Sequence, residues 1–343
     1  MSNGTVWVGV VSAIALLFIL LEGILRSLFG FGNPLTYMAD PQIGYLLTPN
    51  QNTRRFGNQI VINAYSMRSS EISAVRPNQT LRILLLGDSI VNGGWWTDQN
   101  QTISALLQQQ LQGQVGHFKQ VEVLNASANS WSPRNQLAYL QRFGTFGAQM
   151  VVQVINTDDL FGIAPSSLVV GRDLNYPERR PVSAISEVFS RYFSKPQPIP
   201  ELEQLWQEGG DRVGANLAAI EQVKAVAMQH NAQLLLAITP LLREIGEPGP
   251  RDYEKTARQR LQDFTQQQQI PLIDFLPLFN LNPLNTAPFD TAKLNAANAA
   301  KTLYRDSIHL NQAGNLQVVE RLREKIEERI NDESSNITMN DER

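Results

Sequence analysis

Two short polar motifs near opposite ends of the 343-residue chain contain the residue types of nucleophilic catalysis. Gly-Asp-Ser occupies positions 87–89, and Asp-Ser-Ile-His occupies positions 306–309. A serine hydroxyl is a weak nucleophile until a base accepts its proton and a third group orients that base. A carboxylate three residues before a histidine can reach the imidazole Nδ1 across one turn, which leaves Nε2 facing the serine. On the motifs alone, helix capping by Ser89 and Asp306 is the alternative interpretation.

The elements around these motifs predict where the motifs lie. From residue 81 onward, short apolar runs alternate with helical stretches, as expected for a parallel sheet with helices on both faces. The runs are Ile83–Leu86, Val121–Leu124, Val151–Ile155, Leu234–Ile238 and Leu272–Ile273. They predict a three-layer α/β/α sandwich with a five-stranded parallel sheet. Such sheets bind ligands beyond the carboxyl ends of their strands, where Ser89 and His309 fall. His117 and His230 precede strands and are predicted at the opposite edge.

Composition excludes several kinds of site. The chain has no cysteine, which removes thiol nucleophiles and disulfides, and its three histidines leave little material for a metal cluster. We therefore expect no metal and no cofactor. Lys and Arg number 29 against 32 Asp and Glu. Because nucleic-acid binding depends on basic patches, we expect no nucleic-acid partner.

Residues 1–29 are predicted to form a membrane anchor. Met1–Leu21 carries no charged side chain, and Val6–Leu21 is apolar apart from Gly9 and Ser12. A bilayer span needs about 20 apolar residues, so this segment is short but adequate. A cleaved signal peptide would have a basic start and a small-x-small cleavage site, and neither is present. A signal peptide and a helix buried in the fold are the other two interpretations.

Two indications conflict over the side of the membrane on which the body lies. The nearest basic residues, Arg26, Arg54 and Arg55, all follow the span, and the positive-inside rule would place the body in the cytoplasm. A chain of this size without cysteine suits an exported protein, and an N-terminal anchor most simply holds a body outside. We expect a single-pass membrane protein with an extracytoplasmic body.

The rest of the chain divides into three predicted parts. Residues 30–80, which contain several Pro, Gly and Asn, are predicted to form a stem or extension with at most one hairpin. Residues 81–330 would form the α/β domain, with a Pro-rich insertion at 160–212 that is too long for an ordinary connection and could be a lid. Asn311 is the predicted N-cap of the last helix, and a polar acidic tail follows at 331–343.

The two outer motifs resemble those of the SGNH or GDSL hydrolases, a family of serine esterases, lipases, acylesterases and some acetyltransferases. Leu-Gly-Asp-Ser ends the first strand and Asp-x-x-His precedes the last helix, in the family's order. The resemblance covers about residues 81–330 and implies a flavodoxin-like sandwich. It also implies that Ser89 is the nucleophile, His309 the general base and Asp306 the orienting carboxylate.

The middle motifs depart from the family pattern at the implied oxyanion hole, which would contain Ser89, Ser130 and Asp158. Ser130 stands where the family has a glycine that donates its backbone N–H, and Asp158 stands where it has an asparagine. An ionised carboxylate only accepts hydrogen bonds and would repel a developing negative oxygen. Protonation of Asp158, or an amide from Asn129 or Asn156, would restore a donor.

A substrate pocket is predicted beside these motifs. Trp95, Trp96 and Trp131 follow them in the chain and could form the floor of a sugar or acyl pocket, together with Asn129 and Asn156. The alternative is that the tryptophans pack the first helix of the domain onto the sheet.

The sequence thus predicts a membrane-anchored serine esterase or deacylase that forms an acyl-enzyme on Ser89. Its expected substrate is an ester-bearing small molecule, lipid or acylated glycan. Acyl transfer to an envelope polysaccharide is the alternative within the same fold. Non-catalytic glycan binding is a further alternative, which Ser130 and Asp158 motivate.

Overall fold

The computed structural model begins with a long apolar helix, α1 (Asn3–Phe29). The described residues are 3–115, 118–207, 209–280 and 301–341. Gly4–Phe29 is long and apolar enough to cross a membrane, and its most apolar window is not buried in the protein. This exposure excludes the interpretation as a core helix. A membrane anchor and a signal sequence both fit a helix of this kind.

The N-terminal extension forms two antiparallel hairpins. Strands β1 (Tyr37–Asp40) and β2 (Gly44–Leu47) form the first, and β3 (Gln51–Arg55) and β4 (Asn58–Ile62) form the second. The expectation of at most one hairpin was wrong. The extension is also no free stem, because its inward side chains pack into the core on one face of the main sheet. These side chains include Tyr37, Ile43, Leu46, Ile60, Ile62 and Met67.

Five parallel strands form the main sheet, in the order β6-β5-β7-β8-β9. They are β5 (Thr80–Gly87), β6 (Gln120–Ser127), β7 (Met150–Asn156), β8 (Gln233–Thr239) and β9 (Leu272–Asp274). Each predicted apolar run lies within one of them, so the predicted parallel sheet is confirmed. The strand order reverses at β5, which places a crevice beyond its carboxyl end.

Helices cover both faces of the sheet. They are α2 (Ser89–Asn92), α3 (Ile103–Leu111), α4 (Pro133–Phe143), α5 (Ala184–Tyr192), α6 (Pro200–Gln207), α7 (Arg212–Gln229), α8 (Asp252–Gln267), α9 (Phe275–Asn280) and α10 (Gln312–Asp341). Successive side chains of a strand point to opposite faces. Leu84 and Leu86 therefore pack with α4, α7 and α8, whereas Ile83 and Leu85 pack with α3, α9 and α10. The predicted three-layer sandwich is confirmed.

The last helix is longer than the predicted one. Asn311 caps it as expected, because its Oδ1 accepts the N–H groups of Ala313 and Gly314. The helix continues to Asp341, so the predicted boundary between domain and tail at 330 falls inside it. No glycine or proline follows Gly314 in the sequence to end the helix earlier.

The insertion is attached to the first helix of the chain. The carboxylate of Glu22 accepts the N–H groups of Ala184 and Ile185 at 2.8 and 3.0 Å, at the start of α5. Helix N-termini favour such acceptors because their first N–H groups lack partners inside the helix. One turn later, Glu187 pairs with Arg55 of the extension at 2.7 Å. These contacts fix α5 against both α1 and the extension.

The extension also holds the loop that follows α2. The guanidinium of Arg68 is buried and donates to the carbonyls of Asn92, Gly94 and Thr97 at 2.5 to 2.6 Å. Burial lowers the pKa of Arg68 to about 10, so the side chain stays charged at neutral pH. A loop with few bonds of its own is thereby fixed by one buried cation.

Replacing Arg68 by methionine should lower the free energy of unfolding by about 3 kcal/mol, because three buried carbonyls lose their donor. Denaturant unfolding of the full chain in mild detergent measures this quantity. Arg54→Met is the matched control, since Arg54 is exposed and donates one bond to the Gly57 carbonyl. An equal loss in both variants would contradict the role assigned to Arg68.

Candidate active site

A tight turn between β5 and α2 positions Ser89. Gly87 ends the strand, and a Cβ there would lie 2.3 Å from Cγ2 of Val91, so only glycine fits. Asp88 is the N-cap of α2 and its Oδ1 accepts the N–H of Ile90 at 2.8 Å. The capping role thus belongs to Asp88, and the Ser89 hydroxyl is not used for it.

The structure brings the predicted triad residues together. The Nε2 of His309 lies 2.9 Å from Oγ of Ser89, and its Nδ1 lies 2.8 Å from Oδ2 of Asp306. Asp306 is fixed in turn by the N–H groups of Ile308 and His309, which donate to its Oδ1 at 2.9 and 2.8 Å. The arrangement allows the imidazole to take a proton from Ser89 while the carboxylate holds its other nitrogen.

Asp306 is set up to remain ionised. Partial burial alone would raise the pKa of this carboxyl, but the backbone N–H groups of His309 and Ile308 and the imidazole hold it below its usual range. An ionised Asp306 fixes the Nδ1–H tautomer of His309, which leaves the lone pair of Nε2 for the Ser89 proton.

Asn156 joins three acidic residues beside Ser89. Its Nδ2 donates to Oδ2 of Asp88 at 2.8 Å, its Oδ1 accepts the N–H of Asp158 at 2.7 Å, and its own N–H donates to Asp159 at 2.9 Å. Burial raises the pKa of both Asp88 and Asp159, and their proximity raises that of Asp159 further. Because the amide of Asn156 is engaged at both ends, it is unavailable as an oxyanion donor.

Ser130 keeps the backbone conformation of the glycine that it replaces. Its φ of 59° lies in the left-handed region, which favours glycine. Its hydroxyl lies 2.8 Å from the hydroxyl of Tyr176, and the hydroxyl of Tyr45 donates to the carbonyl of Asn129 at 2.6 Å. Tyrosines from the insertion and from the extension therefore stabilise this strained turn.

The backbone N–H groups of Ser89 and Ser130 are candidate oxyanion donors. Within the described residues, neither group makes a hydrogen bond. Both residues line the cavities beside the serine hydroxyl. Asn129 lines the second of these cavities, and its Oδ1 is buried without a partner in the described part of the chain.

Asp158 faces the first cavity with its carboxyl group. Its N–H is used by Asn156, and its side chain is exposed in the cleft. Desolvation by the cavity walls raises the pKa of this carboxyl, and Arg243 opposes the rise only in part. Protonation of Asp158 is thus easier than for an ordinary surface aspartate.

Two cavities meet at Ser89. The first, of about 370 Å³, is bounded by the strand ends and the insertion, and its wall includes Asp158, Val169 and Trp206. The second, of about 480 Å³, lies under the extension. Ser89, Ser130 and Tyr176 line both. The two halves of an ester on either side of its carbonyl could occupy one cavity each.

The predicted tryptophan pocket is correct for two residues of three. Trp95 and Trp96 line the second cavity, and the ring centroid of Trp96 lies 4.4 Å from that of His309. Trp131 is 1% exposed, packs against Tyr139, and donates its indole N–H to a carbonyl in β2. The pocket prediction for Trp131 was wrong, because the turn after β6 directs its ring into the core.

The sequence gave no signal for Tyr45 and Tyr176. They lie in the extension and the insertion, away from the strand ends of the main sheet, and only folding brings them to the site. The remaining histidines are remote from it. His230 is exposed at the end of α7, where its Nδ1 lies 2.9 Å from the carbonyl of Val226. His117 lies outside the described residues.

A family model corresponds to most of this domain. The GDSL-like Lipase/Acylhydrolase family matches residues 85–316, which include all three members of the hydrogen-bonded triad. The chain belongs to this family. It is an ester-hydrolysing enzyme, and ester-bearing compounds are its substrates.

Several solved structures resemble this fold at low sequence identity. The acetyl xylan esterase AlAXEase is 14% identical, with 72% of this chain and 100% of that chain covered and a TM-score of 0.43. TesA is 17% identical, with coverages of 70% and 94% and a TM-score of 0.41. Axe2, an acetylxylan esterase from Geobacillus stearothermophilus, is 13% identical, with coverages of 72% and 94% and a TM-score of 0.44. No curated protein matches the chain by sequence.

The raised pKa of Asp159 predicts a pH-dependent stability. A carboxyl whose pKa is higher in the folded than in the unfolded state loses stability as the pH rises through that interval. Asp159→Asn removes this loss and keeps an acceptor for the N–H of Asn156. The free energy of unfolding of the variant should therefore gain on that of the wild type from about pH 4 to about pH 8.

Denaturant titrations of the full chain at each pH measure this difference. Asp263→Asn, on the exposed face of α8, is the control and should follow the wild type. A curve for Asp159→Asn that runs parallel to the wild type would show that Asp159 does not resist ionisation.

Proposed function

We propose that the chain is a membrane-anchored serine esterase that forms an acyl-enzyme on Ser89. The observation that carries the proposal is the hydrogen-bonded series from Ser89 through His309 to Asp306, with distances of 2.9 and 2.8 Å. Two cavities on either side of Ser89 add room for the acyl and alcohol halves of a substrate. Membership of the GDSL-like family supports the same reaction.

Acylation begins with attack of the Ser89 oxygen on the ester carbonyl carbon. The serine proton passes to Nε2 of His309, and the carbonyl electron pair moves to its oxygen. The imidazolium formed is stabilised by ionised Asp306. When the tetrahedral intermediate collapses, the bond to the alcohol oxygen breaks and Nε2 returns its proton to that oxygen.

The negative oxygen of the intermediate needs donors near Ser89. In the proposal, the backbone N–H groups of Ser89 and Ser130 supply two of them, which the left-handed conformation of Ser130 supports. The third donor is the side chain at position 158 when protonated. The raised pKa of Asp158 supports this assignment, and the amide of Asn129 is the alternative donor.

Deacylation repeats the steps with water in place of the alcohol. Nε2 of His309 accepts a proton from water, and the hydroxide oxygen bonds to the acyl carbon. The bond to Ser89 then breaks, the serine oxygen regains its proton from Nε2, and the carboxylic acid leaves. The reaction consumes one ester and one water and needs no other reactant.

The anchor is part of the proposal. Helix α1 has the length and apolarity of a membrane span, and it is exposed along its whole apolar window. Glu22 at the end of the apolar run caps α5, so the body is held close to the place where the helix leaves the bilayer. We assign the body to the extracytoplasmic side, with an ester-bearing lipid or acylated glycan of the envelope as substrate.

Ser89→Ala should lower turnover of p-nitrophenyl acetate by at least about 10³-fold, because no other oxygen stands at Nε2 of His309. A fluorophosphonate should label the wild type at Ser89 and leave the variant unlabelled, as read by mass spectrometry. Ser307→Ala is the matched control, since this exposed serine lies in the same motif as His309. Unchanged hydrolysis in Ser89→Ala would refute the proposed nucleophile.

Asp158→Asn should raise turnover by about tenfold or more, because an amide donor replaces a carboxyl that must first be protonated. The ratio of variant to wild-type rates should increase with pH, since less Asp158 is protonated at higher pH. Rates of ester hydrolysis over the pH range test both statements. Asp173→Asn, on the wall of the same cavity, should leave the ratio flat. Slower turnover in Asp158→Asn would mean that the carboxylate itself is required.

A further inference from the structure

A continuous series of aromatic rings links the end of α1 to His309. The centroid distances are 5.9 Å from Phe29 to Phe56, 5.1 Å from Phe56 to Trp95, and 5.8 Å from Trp95 to Trp96. The ring of Trp96 lies 4.4 Å from the imidazole. We call Phe29, Phe56, Trp95 and Trp96 the aromatic path. It joins the apolar surface of α1 to the candidate nucleophile site.

The path is exposed rather than buried in the core. Phe29, Phe56 and Trp95 are 38%, 41% and 42% exposed. Phe56, Trp95 and Trp96 also line the second cavity, which reaches Ser89. An apolar surface that continues from outside the fold into a cavity is typical of a ligand site rather than of core packing.

Phe56 occupies its position at a conformational cost. It is the first of the two turn residues between β3 and β4, with φ of 48°, and Gly57 follows with φ of 87°. Two-residue turns with both φ values positive favour Asn-Gly, and a bulky side chain at the first position is strained. The sequence thus places an exposed ring where asparagine would be more stable, which indicates a use for the ring.

The hairpin and the tryptophan loop are fixed to each other. The side-chain amide of Asn58 donates to the carbonyl of Trp95 at 3.2 Å, and the N–H of Gln59 donates to Asp98 at 2.8 Å. The guanidinium of Arg305 lies 4.9 and 5.0 Å from the rings of Trp95 and Trp96. These contacts hold the rings in place and put one cation beside them.

We propose that the aromatic path receives the hydrocarbon chain of an ester that resides in the bilayer, and leads its carbonyl group to Ser89. This inference rests on the proposed function and narrows its substrate to a membrane-borne lipid ester. The path starts at the last residue of the apolar helix, where a lipid chain is available. A soluble glycan would gain nothing from a path that begins there.

Photo-crosslinking tests binding without any need for catalysis. The probe is an ether analogue of a long-chain glycerolipid ester, with a diazirine on the chain, in phosphatidylcholine vesicles containing the full chain. We expect adducts in the peptides that contain Phe56 and Trp95. Adducts confined to α1 would overturn the path. Because the ether cannot be cleaved, this result is independent of whether Ser89 is a nucleophile.

Phe56→Asn tests the path kinetically and should fold at least as stably as the wild type, since Asn-Gly suits the turn. The ratio of turnover of a long-chain ester in vesicles to that of soluble p-nitrophenyl acetate should fall about tenfold, through the lost contact with the chain. Phe189→Asn is the control, because Phe189 is 62% exposed on α5 beside α1 but lies off the path. Its ratio should stay within about twofold.

Three outcomes separate the two proposals. An unchanged ratio in Phe56→Asn, or an equal fall in Phe189→Asn, would overturn the path while leaving the esterase intact. Absence of soluble-ester hydrolysis in the wild type would refute the proposed function, and the crosslinking result would then decide the path alone. Preferential hydrolysis of a soluble acylated glycan over the vesicle ester would also overturn the path.

Discussion

The hydrogen bond between Ser89 and His309 is the constraint on which the rest of the structure depends. It joins residues 220 positions apart, and an error of about 1 Å in either would weaken proton transfer severely. The parallel sheet meets this requirement because Ser89 follows the strand at which the strand order reverses. The turn containing Asp306 then brings the imidazole to the same edge, and its own backbone N–H groups fix the carboxylate.

The segments outside the sheet complete the site. Arg68 fixes the loop after α2 from the extension, and Tyr45 and Tyr176 hold the turn at Ser130. These side chains serve as supports that the sheet cannot provide, because its strands end before the turn. The extension is consequently a structural part of the site rather than a spacer between helix and body. The same packing sets the position of α1 through Glu22.

Charge in the cleft is arranged in two opposite ways. Asp306 is held ionised by backbone donors, whereas Asp88 and Asp159 are buried where ionisation is unfavourable. Asn156 bridges the buried pair, and this use of its amide explains why it cannot also serve the oxyanion. Position 158 is left as the group whose protonation matters, since its carboxyl faces the cavity.

The sequence by itself determined the sheet, the turn at Ser89 and the proximity of Asp306 to His309. Apolar runs and short spacings are local properties, and a parallel sheet leaves its strands few alternative arrangements. Tertiary structure alone decided that Trp131 is buried, that Asn156 is engaged and that Phe56 reaches Trp95. Those outcomes depend on contacts between segments far apart in the chain, whose energies compete, and no local pattern records which contact forms.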